Sequence, residues 1–245
     1  MISEEAALML VISALYLYDS MLLLATNEAV LVRVGGGRWF AAFGWATYRL
    51  ARKEPYFPNP LTPFRRQYVL SWSFESTPPP GVNPAIAQLD ENSCLDTIGH
   101  YFVIPMGIAL FVFLPLGLFT RLGTPAVLAA VVVFYASAIA AMVRLHLGRR
   151  HLVVAGNWFI PLAFQCFVCP PFALNLVRKL CALTSPKADY TVAAAQLLRV
   201  HEIEKVKAQC LLRLEEQIDF EPEGTPRMEA ITSARSRFQP REDAS

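Results

Sequence analysis

Asp19 is the residue in this chain whose type is most at odds with its setting. It stands in an otherwise apolar run, Ala6 to Ala25. If that run lies in a bilayer, an ionised carboxylate near its middle costs about 3 kcal/mol on insertion scales, so it must face a polar interior or water. Tyr16 precedes it by one helical turn, and Asn27 and Glu28 follow two turns on, near the same side of a continued helix. Such a row can hold a proton or a cation for a carrier, or form a polar socket for a partner helix. The ordinary use of such groups is a hydrogen bond between helices.

Asp96 and His100 are four residues apart and share a helical face. A carboxylate and an imidazole so placed can relay a proton or contribute to a metal site. Two ligands do not make such a site, the spacing of zinc ligands is absent, and no metal is expected. His146 and His151 read as residues at headgroup level. Cys166 and Cys169 form a C-x-x-C followed by Pro170. Thiol–disulfide exchange there needs one thiolate of lowered pKa, and apolar surroundings act in the opposite sense. Burial as small hydrophobes is the plainer account of these cysteines. With Cys94, Cys181 and Cys210 the count is five, odd and irregularly spaced, which is not a disulfide framework. Gly35-Gly36-Gly37-Arg38 lacks the spacing of a phosphate loop, and neither G-x-S-x-G nor H-E-x-x-H occurs. No catalytic constellation and no cofactor motif emerges.

The elements that must position these residues are apolar. Of 245 residues, 54% are hydrophobic and only 17% charged, against about 25% charged in soluble domains. The charges crowd between long uncharged stretches. Four stretches approach the roughly 20 apolar residues that cross a hydrocarbon core: Ala6 to Ala25, Tyr101 to Phe119, Pro125 to Val143, and Leu152 to Val177. Backbone in lipid must satisfy its own hydrogen bonds, which predicts helices. The short connection Thr120-Arg121-Leu122-Gly123-Thr124 forces an antiparallel hairpin. Pro105, Pro115, Pro161, Pro170 and Pro171 predict kinks, and the last pair a break.

The segment 28–97 reads differently. Val30, Val32 and Val34 alternate with Ala29, Leu31 and Arg33, the three glycines supply a turn, and Trp39, Ala41 and Phe43 resume the period of two. Tyr68, Leu70, Trp72 and Phe74 form another alternation. These predict three or four short antiparallel strands, with aromatics suited to a membrane interface. Pro55 to Pro63 and Pro78-Pro79-Pro80-Gly81 read as stiff connectors. From Lys187 to Ile218, Leu197, Val200, Ile203, Val206, Cys210, Leu214 and Ile218 recur at three- and four-residue intervals. Arg199, Glu202, Glu204, Lys205, Lys207, Arg213, Glu215 and Glu216 fall opposite, on a face that reads as water-exposed. Beyond Pro222 the composition predicts disorder.

The expected fold class is a mainly α membrane protein: a four-helix transmembrane bundle with a small antiparallel β insert and a C-terminal amphipathic helix. Its parts are a first transmembrane helix (1–27), a strand- and Pro-rich insert (28–97), three transmembrane helices (98–180), the amphipathic helix (187–220) and a disordered tail (221–245). The start carries Glu4 and Glu5 and no early cation, unlike a removable signal peptide. Arg33, Arg38, Arg49, Arg52 and Lys53 follow the first stretch, which places the N-terminus outside; Arg144, Arg149 and Arg150 agree, and Arg178 and Lys179 conflict. A net charge of +2 without a basic stripe excludes a nucleic-acid partner. The expected partners are the lipid bilayer, in a bacterial inner membrane, and a protein or second copy bound through the 187–220 helix. The expected function is a non-enzymatic accessory or scaffold component. The rivals are a small ion-coupled transporter using Asp19 and Glu28 and a membrane thiol oxidoreductase using Cys166 and Cys169.

Overall fold

A computed structural model describes residues 3–50, 53–72, 86, 89, 93–148, 157–186, 188–219 and 224–238. The Pro78–Gly81 connector, Phe74, Arg52, Arg149, Arg150 and His151 lie outside the described residues, as do 220–223 and 239–245 of the tail. The chain forms two compact units: Met1–Leu22, Phe57–Tyr68 and Glu91–Ser185, and Leu23–Tyr56, Val69–Asp90 and Pro186–Ser245.

The first unit is built on a hairpin of two helices, α2 (Cys94–Phe119) and α3 (Gly123–Gly148), each 26 residues. At about 1.5 Å per residue each is roughly 39 Å long, more than the roughly 30 Å of a hydrocarbon core. Both are long and apolar enough to cross a membrane. Pro105 and Pro115 do not break α2. A proline lacks the N–H and crowds the carbonyl four residues earlier. Those positions, Tyr101 and Phe111, fall in two widened π turns, Gly99–Val103 and Ala109–Phe113, which make room for each ring in turn. The helix ends at Thr120, which is extended, and its hydroxyl donates to the Leu116 carbonyl. Gly123, at φ +48°, opens α3. The hairpin closes tightly at Gly117, where an added Cβ would stand 2.6 Å from Val127 Cγ2 and 2.7 Å from Val127 N. Along α3 the small or flat buried residues Ala130, Phe134, Ala138 and Ala141 alternate with exposed Leu128, Val132, Ile139 and Val143. One face is thus packed and the other is apolar and bare.

The four-helix transmembrane bundle does not form. In place of the first span, α1 (Glu4–Ser20) has 17 residues, about 25 Å, and the apolar run continues as strand β1 (Leu22–Leu24). Ser3 caps its start, accepting from Ala6 N at 3.3 Å. Its end is set by side chains: Ser20 Oγ donates to the Tyr16 carbonyl at 2.7 Å and Asn175 Nδ2 donates to the same oxygen at 3.3 Å. In place of the fourth span stand α4 (Phe159–Val168), α5 (Pro170–Ala173) and α6 (Leu176–Leu183). Cys169, preceding Pro170, is extended (φ −126°, ψ 90°), as the crowding ahead of a proline requires. Hydrophobic content measured the two outer stretches correctly as apolar. It could not register that polar side chains and a Pro-Pro pair cut them short.

The second unit carries the strands. β2 (Glu28–Val34) pairs antiparallel with β3 (Arg38–Ala42), from Val30 opposite Ala42 to Val34 opposite Arg38. The turn between them is Gly35–Gly37, with Gly36 and Gly37 at φ +75° and +71°, a region that only glycine enters freely. β5 (Gln67–Ser71) completes a sheet of order β3-β2-β5, and β1 pairs with β4 (Glu54–Tyr56). The tail is two helices, α7 (Tyr190–Leu197) and α8 (Val200–Ile218), separated at extended Leu198 and Arg199. Val206, Cys210 and Leu214, the heart of the expected stripe, are buried within this unit. Pro226–Phe238 forms a further helix, α9, where composition predicts disorder; Ile231 and Ala234 pack on Leu214.

Candidate functional site

The polar centre of the first unit is assembled where α1 ends and α6 begins. Arg178, buried, donates from Nη1 to Ser20 Oγ at 3.0 Å and to Asn175 Oδ1 at 2.8 Å, and from Nη2 to the Asn59 carbonyl at 2.7 Å. Ser20 Oγ also donates to Asn175 Oδ1 at 3.1 Å. Tyr16 Oη donates to the Pro60 carbonyl at 2.6 Å. The Pro58-Asn59-Pro60 stretch thus supplies two backbone carbonyls to this centre.

Asp19 sits at the edge of the same centre. One carboxylate oxygen lies 3.0 Å from Lys179 Nζ and the other accepts from Asn175 Nδ2 at 3.0 Å. Lys179 also donates to Gln165 Oε1 at 3.3 Å and lies over the Phe172 ring. The Asp19 carboxylate is therefore met by a cation from α6 and by the amide that precedes that helix. Asn27 and Glu28 do not continue its row. They belong to the second unit, where Glu28 Oε2 accepts from Ala25 N at 2.7 Å and closes the turn before β2. Asn27 Nδ2 donates to the Trp72 carbonyl at 3.1 Å.

Asp96 and His100 share a helix but not a bond between side chains. Asp96 accepts from Arg66 Nη2 at 2.8 Å, while His100 Nδ1 lies 2.9 Å from the Asp96 carbonyl oxygen and its ring rests near Phe64. No group of three metal-ligating side chains occurs among the described residues. Cys166 is buried in α4 and Cys169 half-buried at the break after it, and both are free thiols. Burial pushes the Cys166 thiol up to about 11, the reverse of what an attacking thiolate needs.

The second unit holds a buried ion pair that the sequence does not announce. Arg213 of α8 donates to the Glu54 carboxylate and, at 2.9 Å, to the Gly44 carbonyl, and its guanidinium stacks 4.7 Å from the Phe43 ring centre. Both partners are at least 98% inaccessible. Phe43 meets Trp72 and Tyr190 edge to face, Trp72 and Tyr190 lie tilted at 45°, and burial holds the Tyr190 hydroxyl above its ordinary range. By helical spacing Arg213 falls on the face expected to be wet; the structure turns it inward because Glu54 waits there. The readable signal for the first centre is Asn175, an amide in an apolar run that also holds Asn157 and Gln165. Arg178 looks in sequence like an ordinary flanking charge.

Compared with family models, curated proteins and solved structures, this chain matches none.

Proposed function

We propose that this chain is a membrane-inserted, non-enzymatic accessory or scaffold protein, held in a bacterial inner membrane by the α2–α3 hairpin. The observation that carries the non-enzymatic part is that Asp19, Glu54, Arg66, Asp96, Arg178 and Arg213 are each held by a partner within their own unit. These groups act as mortar: each fixes one element against another. The anchor is supported by the bare apolar faces of the hairpin, among them Tyr101, Val112, Leu128 and Ile139. Aqueous exposure of such faces is unfavourable by about 25 cal/mol per Å², and lipid removes that penalty. Helical spans suit an inner rather than an outer membrane, where closed barrels are the rule.

The test has two stages. The chain should stay with membranes through alkaline carbonate. A photo-reactive residue at Leu128 or Val132 should then capture one recurrent protein partner in native membranes. Release by carbonate would end the anchor reading, and retention with no captured protein at any exposed hairpin position would end the scaffold reading. Against the carrier alternative, Glu28 closes the turn before β2 and Asp19 is paired with Lys179, so Asp19→Asn should leave solute flux unchanged.

A further inference from the structure

Between β3 and β4 the second unit extends a finger, described at residues 44–50 and 53–55. Two backbone connections close it. Trp45 N donates to the Pro55 carbonyl at 2.9 Å, and Leu50 and Lys53 exchange both backbone hydrogen bonds, at 2.8 and 3.0 Å. Its base is fixed by the Arg213–Glu54 pair and by Arg213 holding the Gly44 carbonyl. Gly44 is required there, because a Cβ would collide with the Glu54 side chain.

On this firm mount the finger displays large apolar side chains. Trp45 is 61% exposed, Tyr48 64% and Leu50 58%, with the Trp45 and Tyr48 ring centres 6.1 Å apart. Single exposed hydrophobes are ordinary, but three within six residues of one braced finger, two of them with rings side by side, are surface that water does not favour. The charges beside them have one sign. From Phe43 to Lys53 the sequence has Arg49, Arg52 and Lys53 and no acid. Glu54 is buried and neutralised by Arg213, and Arg49 shares its charge with Glu216 at 2.8 Å.

We propose that this finger seats on the anionic surface of a bilayer. Trp45, Tyr48 and Leu50 enter the boundary between headgroups and acyl chains, and Arg49 and Lys53 meet lipid phosphates. Amphipathic rings prefer that depth, and juxtamembrane cations are drawn to anionic leaflets over about one Debye length. A protein groove would suit the aromatics, but a segment that itself carries cations and one buried acid, with Arg49 beside Glu216 and Lys53 exposed, fits a diffuse negative surface better than a single pocket. The inference rests on the hairpin reading above, because that reading brings the chain to a bilayer.

The test uses the full chain reconstituted in phosphatidylcholine vesicles with and without phosphatidylglycerol, some lipid being brominated at shallow acyl positions. Subtracting the emission of Trp45→Phe isolates Trp45 from Trp39, Trp72 and Trp158. Bromolipid should quench about half or more of the Trp45 signal in anionic vesicles, and iodide on both faces should not reach it. Quenching should fall about twofold or more in neutral vesicles, in high salt, and in Arg49→Gln/Lys53→Gln. Tyr48→Ser should weaken it too, with far-UV dichroism confirming that each variant is folded. Trp45 emission open to iodide in both lipid mixtures would overturn the proposal, as would quenching indifferent to lipid charge and to the double variant. Carbonate treatment of the same vesicles keeps the two readings apart. A retained chain with Trp45 in water loses the finger alone. A stripped chain loses the hairpin, and Trp45 quenching measured before stripping still decides the finger.

Discussion

Arg213 and Glu54 set the residue scale, because a buried pair behaves differently when halved than when replaced. Removing one partner leaves the other charged, desolvated and alone, which costs about 3–5 kcal/mol. Arg213→Met should therefore lower stability by roughly that amount and loosen the finger, whose Gly44 carbonyl it holds. Replacing both, as Arg213→Met with Glu54→Leu, should recover most of the loss; urea unfolding of the detergent-solubilised chain measures both. A double variant as unstable as the single would mean that the guanidinium matters through its shape and its stacking on Phe43. The buried thiols make a separate expectation. Burial pushes Cys181 from 9.0 up to about 12 and Cys210 likewise to about 12. Below pH 9 these thiols are protonated in both folded and unfolded chain, and their contribution to stability is complete. Between pH 9 and 12 the unfolded chain loses its protons first, so stability must fall as pH rises. Melting temperature should drop from pH 8.5 to 10.5, and less steeply in Cys181→Ala than in the parent at equal starting stability. Maleimide at pH 8 should modify Cys94 or Cys169 before Cys166, Cys181 or Cys210.

At the scale of elements, glycine position tests the hairpin directly. A Cβ at Gly117 would press into the backbone of Val127, whereas at Gly107 it meets nothing nearer than Leu174 Cδ2 at 3.9 Å. Overpacking a tight contact costs about 1–3 kcal/mol, while Ala for Gly in an uncrowded helix gains up to about 1 kcal/mol. Gly117→Ala should thus lower the melting temperature in detergent and Gly107→Ala should keep or raise it; equal effects would show that α2 and α3 do not close as described. The same elements show what sequence could and could not tell. The period of two in 28–43, the glycine turn and the two central apolar stretches are local properties, and each became the element it predicts. The outer stretches failed for non-local reasons. Nothing near Ser20 in sequence reveals that Asn175, 155 residues away, will bond to its hydroxyl and to the Tyr16 carbonyl at the end of α1. Nothing in the 187–218 periodicity shows that Arg213 has a carboxylate to meet, so its charge reads as a wet face. The candidate site suffered in the same way: Asp19 was conspicuous by its setting, but its partners came from another part of the chain.

At the scale of the whole molecule, the number of spans decides where every soluble residue lies. Four spans with an acidic start put both termini outside and leave Arg178 and Lys179 on the wrong side of the positive-inside rule. Two spans remove that conflict. The α2–α3 connection carries one cation, Arg121, whereas Arg65 and Arg66 precede the hairpin and Arg144, Arg149 and Arg150 stand at its far end. Under the proposed two-span anchor, the rule would put Arg121 outside and the segments before Cys94 and after Gly148 inside. An anionic inner leaflet on that side is also the surface that the basic finger requires. Fusions in bacterial cells separate the schemes. Green fluorescent protein should fluoresce at either terminus, and alkaline phosphatase, active only outside, should be silent after Ser245 but active when the chain is cut and fused after Arg121. Phosphatase activity at the C-terminus would reverse the assignment, and termini on opposite sides would require an odd number of crossings that a single α2–α3 hairpin cannot provide.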